Sequence, residues 1–187
     1  MIIGVCGYQA AGKDTVALYL KEHYGFSHYS LSEVLRDILR KKGREINRDT
    51  LTFYGNFFRE KYGADFLARE VLKHLKRPAV ITSIRNLAEL KILSKEEDFL
   101  AIFIDAPVKL RYERAIARNR EGEAHLSLAE FIEKEKREES EKNTSQQLHL
   151  LKNHCQVVFD NSGSKEELFS QIDKLLIKFR SPNGSKL

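Results

Sequence analysis

The chain has little cysteine, no tryptophan and no long apolar run. Its two cysteines, Cys6 and Cys155, are too few for a disulfide framework and form no C-x-x-C pair for zinc. No apolar run approaches the roughly 18 residues that a transmembrane helix needs, and the first residues lack the charged-then-apolar layout of a signal peptide. We therefore expect a soluble cytoplasmic protein, without a membrane partner, whose cysteines are packed, reduced thiols.

Size and charge set broad limits on function. With 187 residues, of which 42% are hydrophobic, the chain is long enough for one well-buried core and too short for two ordinary domains. We predict a single domain over residues 1–187. The net charge of +5, from 32 basic and 27 acidic residues, suits an anionic small molecule as well as RNA, so charge alone does not choose the partner.

Short apolar runs alternate with helical patterns along most of the chain. The run at residues 2–6 stands directly before glycine-rich sequence, which is typical of a buried, central parallel strand. Pro107 suits the first turn of a helix, where its missing N–H is not needed. Strands are predicted at residues 2–6, 26–29, 79–82, 99–104 and 156–159. The pattern predicts an α/β fold with a five-stranded parallel sheet and helices on both faces.

Two stretches depart from this alternation. Residues 48–77 have the pattern of one or two helices with no strand between them, and residues 119–152 are strongly charged and helical. Because ligands bind at the carboxyl edge of open α/β sheets, we predict that both stretches lie over that edge. A solvated, charged helix pair without a role is the alternative for residues 119–152.

The glycine-rich segment after the first predicted strand matches a phosphate-binding loop. Residues 7–13 read G-Y-Q-A-A-G-K, which is the G-x-x-x-x-G-K pattern in its required context of strand, loop and helix. Glycines let backbone N–H groups converge on phosphate oxygens, and the following helix presents its positive end. An ordinary glycine turn capped by a helix is the alternative. The candidate ATP ligands here are Gly7, Ala10, Ala11, Gly12, Lys13, Asp14 and Thr15.

Asp14 is a departure from the usual motif, which has a magnesium-binding Ser or Thr at this position. Thr15 comes next and can donate to an α- or β-phosphate from the first helical turn. Asp14 either holds a metal-bound water or simply favours the helix N-terminus. We therefore predict ATP and Mg²⁺ as cofactors, with the metal held by Asp14 and Thr15 through water.

The sequence resembles the nucleoside monophosphate kinase group of P-loop kinases. The matching segments are G-K-D-T at residues 12–15 and S-L-S-E-V-L-R at residues 30–36, and the likeness is strongest to archaeal adenylate-kinase-related and dephospho-CoA kinase-like proteins. It extends from Met1 to about residue 178. It implies the three-layer P-loop kinase fold, with an acceptor-binding helical insertion at about residues 31–77 and a lid at about residues 119–152.

The resemblance also implies a set of acceptor-binding arginines. Arg36 stands where these kinases offer an arginine to the acceptor phosphate, and Arg59 lies in a matching stretch of the acceptor-binding helices. Arg85 matches the arginine after the third strand, although the Asp-Gly pair that usually precedes it is missing. Asp105, at the end of the next strand, either replaces that carboxylate or caps the following helix. A solvated arginine is the alternative for Arg36 and Arg59.

Further arginines match the lid of these kinases. The segment at residues 111–120 is similar to the helix that enters the lid, which implies that Arg114 lies against the nucleotide base and Arg118 reaches the phosphates. Arg114 and Arg118 are four residues apart and so share a helical face. Arg120 follows the family spacing, and Arg137 falls where the lid returns a further cation. A solvated face is the alternative for Arg137.

The loop after the last predicted strand completes the implied nucleotide site. Its sequence D-N-S-G-S, at residues 160–164, is similar to the loop that contacts adenine through its backbone, which puts forward Asn161 and Gly163. A turn that caps the next helix is the alternative.

These residues together predict an ATP-dependent phosphotransferase. Lys13 and Mg²⁺ would hold the donor phosphates, Arg36 and Arg85 the acceptor, and Arg118 the transition state. The predicted acceptor is a nucleoside or deoxynucleoside monophosphate. Dephospho-CoA is the alternative, for which Asp14 would accept the proton of a ribose hydroxyl. The residues do not identify the acceptor or the oligomeric state.

Other classes of protein fit the sequence less well. No N-K-x-D segment is present to select guanine, and the six histidines have no metal-ligand spacing. A nucleic-acid-associated P-loop ATPase suits the positive charge, but residues 119–152 carry nearly as many glutamates as lysines and arginines. A nucleic-acid partner is therefore not expected.

Overall fold

The computed structural model describes residues 1–118, 126–138 and 146–180, and within them five strands alternate with nine helices. The strands are β1 (Ile2–Gly7), β2 (Ser27–Ser30), β3 (Ala79–Thr82), β4 (Phe99–Asp105) and β5 (Val157–Asp160). The helices are α1 (Lys13–Tyr24), α2 (Leu31–Lys41), α3 (Arg48–Tyr62), α4 (Phe66–Leu72), α5 (Leu87–Leu93), α6 (Val108–Ala117), α7 (Leu128–Glu138), α8 (Leu148–His154) and α9 (Lys165–Arg180).

The strands form one parallel sheet in the order β2-β3-β1-β4-β5. Gly4 of β1 pairs with Ile81 on one side and Ala101 on the other, so β1 lies at the centre. This confirms the predicted five-stranded parallel sheet. Because all the strands run the same way, the loops that follow them meet at one edge, where open α/β folds bind ligands.

Both faces of the sheet are covered. Successive side chains of β1 point to opposite faces: Ile3 and Val5 pack in a cluster with α1 and α9, whereas Ile2 and Cys6 pack with α2, α4, α5 and α8. Burial on both faces explains why β1, β3 and β4 read as continuous apolar runs rather than as alternating patterns.

The helices between β2 and β3 follow the predicted pattern without a strand. In α2, Leu31, Leu35 and Leu39 recur every four residues and form its buried face. A capping box starts α3, since the Asn47 side chain accepts from the Thr50 N–H and the Thr50 hydroxyl accepts from the Asn47 N–H. These helices border the carboxyl edge of the sheet, where they line the cavity described below.

The described parts of the charged stretch at residues 119–152 include α7 and most of α8, which differ in character. α7 packs beside α6 and buries Phe131. α8 packs on β1 and β4 and buries Leu148 and Leu151, so these residues belong to the core rather than to the predicted lid. The remaining lid predictions at residues 119–125 and 139–145, including Arg120, lie outside the described residues.

Neither cysteine forms a disulfide, and Cys6 is fully buried. A hydrogen bond with Cys155, together with burial, raises the pKa of the Cys6 thiol well above its ordinary value, which makes it a poor nucleophile. In the part of the chain that is described, no helix is both long enough and apolar enough to cross a membrane.

Candidate active site

A cavity of about 1010 Å³ opens at the carboxyl edge of the sheet. Its walls are the loop between β1 and α1, the N-terminal half of α2, α3 as far as Arg59, the residues that follow β3 and β5, and the ends of α6 and α7. Sites for small ligands and cofactors are concave spaces of this size.

The loop between β1 and α1 has the backbone of a phosphate cradle. Gly7 has φ 142° and Gly12 has φ 107°, and a Cβ on Gly7 would stand 2.3 Å from the Ile104 carbonyl oxygen. Only glycine fits such positions without strain. Ala10 also has a left-handed φ, of 57°. The loop leads directly into α1, whose positive N-terminal end faces the cavity.

Asn161, which follows β5, supports this loop from beneath. Its Nδ2 donates to the Ala11 carbonyl at 2.7 Å, and its backbone N–H donates to the Asp105 carbonyl at 2.8 Å. The side chain is buried. Asn161 therefore shapes the phosphate cradle, a contact that the sequence did not predict.

Lys13 and Arg85 are the two cations at the deep end of the cavity. The Lys13 ammonium donates to the Tyr8 carbonyl, and Arg85 Nη1 donates to Gln146 Oε1 at 3.2 Å. Among the described residues, neither side chain bonds to a carboxylate. Burial and, second, the charge of Arg85 lower the pKa of Lys13 to about 7. Burial also lowers the pKa of Arg85. Two neighbouring cations held in this way favour an anionic ligand.

Three serine hydroxyls meet at the ends of β2 and β3. Ser30 Oγ lies 2.9 Å from Ser32 Oγ and 3.0 Å from Ser83 Oγ, and Ser32 is 3.2 Å from Ser83. Arg36 Nη1 donates to Ser32 Oγ at 2.9 Å. Ser83 has a left-handed φ of 63°. We name Ser30, Ser32 and Ser83 the serine cluster.

A buried ion pair lies behind Arg85. Arg59 Nε donates to Glu89 Oε1 at 2.9 Å, and the backbone N–H of Arg85 donates to Glu89 Oε2 at 2.7 Å. Glu89 is fully buried, so this carboxylate holds both arginines in place. Arg59 also borders the cavity.

A chain of hydrogen bonds runs from α3 to Arg85. Arg48 binds Glu138 in bidentate fashion, with Nε to Oε1 at 2.6 Å and Nη2 to Oε2 at 2.8 Å. Gln146 Nε2 donates to Glu138 Oε2 at 3.2 Å, and Gln146 in turn accepts from Arg85. All four residues border the cavity.

The arginines of α6 face the cavity from the opposite side. Arg114 and Arg118 both line it, as their spacing predicts. Arg114 Nη1 is buried and has no hydrogen-bond partner within the described ranges. Arg111 binds Glu135 of α7, and its guanidinium lies 4.7 Å from the centre of the Tyr8 ring, which ties both helices to the phosphate loop.

Comparison with known proteins identifies the relatives of the chain. A dephospho-CoA kinase of Fusobacterium nucleatum is 30% identical over 196 residues, which cover 93% of this chain and 96% of that protein. This chain belongs to the P-loop kinases related to dephospho-CoA kinase. Membership in this family confirms the predicted resemblance to dephospho-CoA kinase-like P-loop kinases. No protein-family model matches the chain.

Two further relatives support the family and the fold. The UPF0200/UPF0201 protein of Archaeoglobus fulgidus is 28% identical over 185 residues, which are 95% of this kinase but only 55% of that protein. The kinase thus spans about half the length of that relative. The structure of shikimate kinase from Acinetobacter baumannii in complex with shikimate superposes with a TM-score of 0.61 over 96% of this chain and 94% of that one, at 16% identity. At that identity the likeness shows the fold alone.

The kinase brings most of its predicted site residues to one cavity, although their roles stay predictions. Gly7 and Ala11 shape the phosphate loop without bordering the cavity. The predicted residues that border it are Ala10, Gly12, Lys13, Asp14, Thr15, Arg36, Arg59, Arg85, Arg114, Arg118, Asn161 and Gly163.

Two predictions place residues elsewhere. Arg137 is exposed, bonds to Glu133 on its own helix and does not border this cavity. Asp105 does not line the cavity either, because its Oδ2 accepts from Lys152 at 2.6 Å. The predicted helix cap by Asp105 is wrong: α6 starts at Val108, and its N-terminus has no side-chain cap.

The sequence prediction missed several residues of the cavity. The serine cluster follows predicted strands, so the rule that ligands bind at the carboxyl ends of strands was a usable signal for it. Arg48 and Glu138 have no such signal, since 90 residues separate them.

The residues present fit the phosphate chain of ATP. The glycine cradle, the N-terminus of α1 and Lys13 supply backbone N–H groups and positive charge. Within residues 1–118, 126–138 and 146–180, no group of three or more His, Cys, Asp or Glu side chains is placed to hold a metal. Asp14 and Thr15, the predicted water-mediated ligands of Mg²⁺, border the cavity.

Proposed function

We propose that this kinase transfers the γ-phosphoryl group of ATP, with Mg²⁺, to a nucleoside or deoxynucleoside monophosphate. The observation that supports this most is the pair Lys13 and Arg85, two neighbouring cations to which no carboxylate of the described residues is hydrogen-bonded. The wall formed by α2, α3 and the end of β3 adds three more arginines, Arg36, Arg48 and Arg59. Guanidinium groups match phosphate oxygens in charge and in geometry.

The proposed roles follow from position in the cavity. Lys13 and the loop between β1 and α1 bind the donor phosphates, and Arg85 lies between them and the acceptor wall. Arg114 and Arg118 reach in from α6, where Arg118 neutralises charge on the transferred group. Phosphoryl transfer requires chiefly alignment and charge compensation, which this set of cations provides.

Dephospho-CoA is the second candidate acceptor, and the Fusobacterium nucleatum relative favours it. Transfer to a ribose hydroxyl calls for a carboxylate that accepts its proton. Asp14 borders the cavity at the start of α1, where its side chain is exposed, and it is the proposed base for this acceptor.

The test is ATP consumption with Mg²⁺ against a panel of nucleoside monophosphates, deoxynucleoside monophosphates and dephospho-CoA, with and without RNA. One acceptor should raise turnover well above the acceptor-free rate. Lys13→Ala and Arg85→Ala should abolish that increase. Arg77→Ala is the matched control, because Arg77 is an exposed arginine paired with Glu96 outside the cavity.

Two further results would change the proposed function. If the rate of ATP hydrolysis were the same with every acceptor and rose with RNA, the proposed kinase reaction would be contradicted and a nucleic-acid-associated ATPase would be favoured. Asp14→Asn separates the two acceptor classes by degree: it should slow transfer to either acceptor through the metal, and transfer to dephospho-CoA much further, because only the ribose hydroxyl needs a carboxylate to accept its proton.

A further inference from the structure

Glu138 is a carboxylate placed on the wall of a cavity that otherwise favours anions. Both its oxygens bind Arg48, at 2.6 and 2.8 Å, and the two side chains retain 13% and 20% exposure, so they are partly withdrawn from water. A pair held this firmly is stronger than an exposed surface ion pair. It nevertheless borders the open cavity rather than the core.

Glu138 also serves Arg85. Gln146 bridges the two residues, with one 3.2 Å hydrogen bond to each side. The charge of Glu138 raises the pKa of Arg85, against the larger lowering by burial. One carboxylate is therefore the shared counter-charge of two arginines on the acceptor wall.

We propose that Glu138 occupies the anion site formed by Arg48 and Arg85, and that the phosphate of the acceptor enters by displacing it. This inference rests on the proposed function for the identity of the incoming group. Carboxylate and phosphate present the same pair of oxygens to a guanidinium fork, so one can replace the other at Arg48. A phosphate dianion also carries more charge than the carboxylate.

A second ion pair joins the same two helices. Lys134 Nζ binds Asp49 Oδ1 at 2.9 Å; Asp49 follows Arg48 directly, and Lys134 lies one turn before Glu138. This pair does not involve Glu138, so it is not broken when the Glu138 side chain turns out of the site. The serine cluster and Arg36 border the same space and lie ready to bind the rest of the acceptor.

The test measures anion binding without turnover. Inorganic phosphate is titrated by calorimetry into the full chain carrying Lys13→Ala, a change that weakens the competing site in the phosphate loop. In this background Glu138→Gln should bind phosphate about tenfold more tightly, because the amide keeps the shape and loses the charge that must be displaced. Arg48→Ala should weaken binding at least tenfold. Glu133→Gln is the matched control, since it removes a glutamate from the same helix, paired with Arg137, and should change nothing.

The proposal is overturned if Glu138→Gln binds phosphate no more tightly, or if Glu133→Gln gives the same gain. The gain must also vanish when Arg48→Ala is added to Glu138→Gln. Should Glu138→Gln fail to fold, as judged by its thermal unfolding, Glu138→Asp replaces it, because the shorter carboxylate reaches one nitrogen rather than two and should give a smaller gain. Phosphate binding is measured without ATP, so it does not depend on whether the kinase assay succeeds. If the protein is an active kinase but Glu138→Gln does not bind phosphate more tightly, only the proposed displacement of Glu138 is contradicted.

Discussion

Asn161 stands so close to Gly12 that a Cβ on the glycine would lie 2.3 Å from Asn161 Nδ2. The same nitrogen donates a 2.7 Å hydrogen bond to the Ala11 carbonyl, and moving away from Gly12 would break this bond. The loop after β5 and the phosphate loop after β1 are thus locked together, although β4 separates their strands.

Gly12→Ala should therefore abolish ATP binding. The substitution creates a clash with Asn161 and forces alanine into φ 107°, and both effects distort the cradle. Gly25→Ala is the matched control: Gly25 also has a left-handed φ, of 70°, but nothing lies within 4 Å of its Cβ position. That change should cost about 1 kcal/mol of stability and leave ATP binding intact. The shift of the thermal midpoint with ATP checks both, and an ATP shift that survives in Gly12→Ala would contradict the interlock.

ATP binding should weaken as pH rises above 7. The pKa of Lys13 is lowered to about 7 in the ligand-free protein, whereas bound phosphate holds the ammonium charged to higher pH. Between those two pKa values the complex binds one more proton than its components. Affinity should therefore fall by up to about tenfold per pH unit in this window. Calorimetry at pH 8 in two buffers of different ionisation enthalpy should show uptake of close to one proton.

Lys13→Met is the control for this pH dependence, because it should bind ATP weakly and take up no proton at pH 8. The same linkage has a stability consequence of definite sign. The unfolded lysine stays protonated up to its ordinary pKa of 10.5, whereas the folded lysine loses its proton near 7. The unfolded state thus binds more protons between these values, and the Lys13 contribution to stability rises with pH there. Proton uptake that persists in Lys13→Met would assign the effect to another group.

The sheet and the phosphate loop were predictable because their signals are local. The apolar runs at β1 and β4 indicate strands that are buried on both faces of the sheet. The spacing of Gly7, Gly12 and Lys13 indicates the phosphate-binding loop. Each of these inferences needs only neighbouring residues.

The rest of the site depends on packing that no local pattern records. Glu89 lies in a helix that reads as amphipathic, yet it is fully buried and binds Arg59, 30 residues away. Leu148 and Leu151 lie in a charged stretch, so the sequence pattern did not indicate that they are buried against the sheet. The range predicted for the lid therefore included these core residues. The partner of a charged side chain is a tertiary property, and the sequence offers many candidates of each sign.

Glu89→Gln should destabilise the kinase by about 3 kcal/mol. Glu89 accepts from two donors, Arg59 Nε and the Arg85 N–H, and an amide has only one oxygen to offer them. One donor would then face another donor in a buried site, and Arg59 would lose its counter-charge. Urea denaturation measures the free energy of unfolding. Glu70→Gln is the control, because the pair of Glu70 with Lys73 is exposed and should be worth less than about 1 kcal/mol. If Glu89→Gln lowered the free energy of unfolding by as little as Glu70→Gln, the side chains around Arg59 would have rearranged to compensate for the lost carboxylate.

Two substitutions of Ser83 distinguish the effect of its strained backbone from the effect of its hydroxyl group. It has a left-handed φ of 63°, which glycine adopts freely, and its Oγ contacts Ser30 and Ser32. Ser83→Gly removes the strain and the hydroxyl, whereas Ser83→Ala removes the hydroxyl alone. Ser83→Gly should therefore be more stable than Ser83→Ala, by about 1 kcal/mol.

Both Ser83 variants should raise the KM for the acceptor by the same severalfold factor, because both lose the hydroxyl that borders the acceptor wall. The KM for ATP should change much less, since the proposed donor-phosphate ligands are Lys13 and the loop between β1 and α1 rather than the serine cluster. Steady-state kinetics with the acceptor that the panel identifies, beside thermal unfolding of both variants, makes the comparison. Suppose instead that Ser83→Gly kept the acceptor KM of the wild type while the less stable Ser83→Ala raised it. In that case the serine cluster would only stabilise the local structure, and the arginines alone would recognise the acceptor.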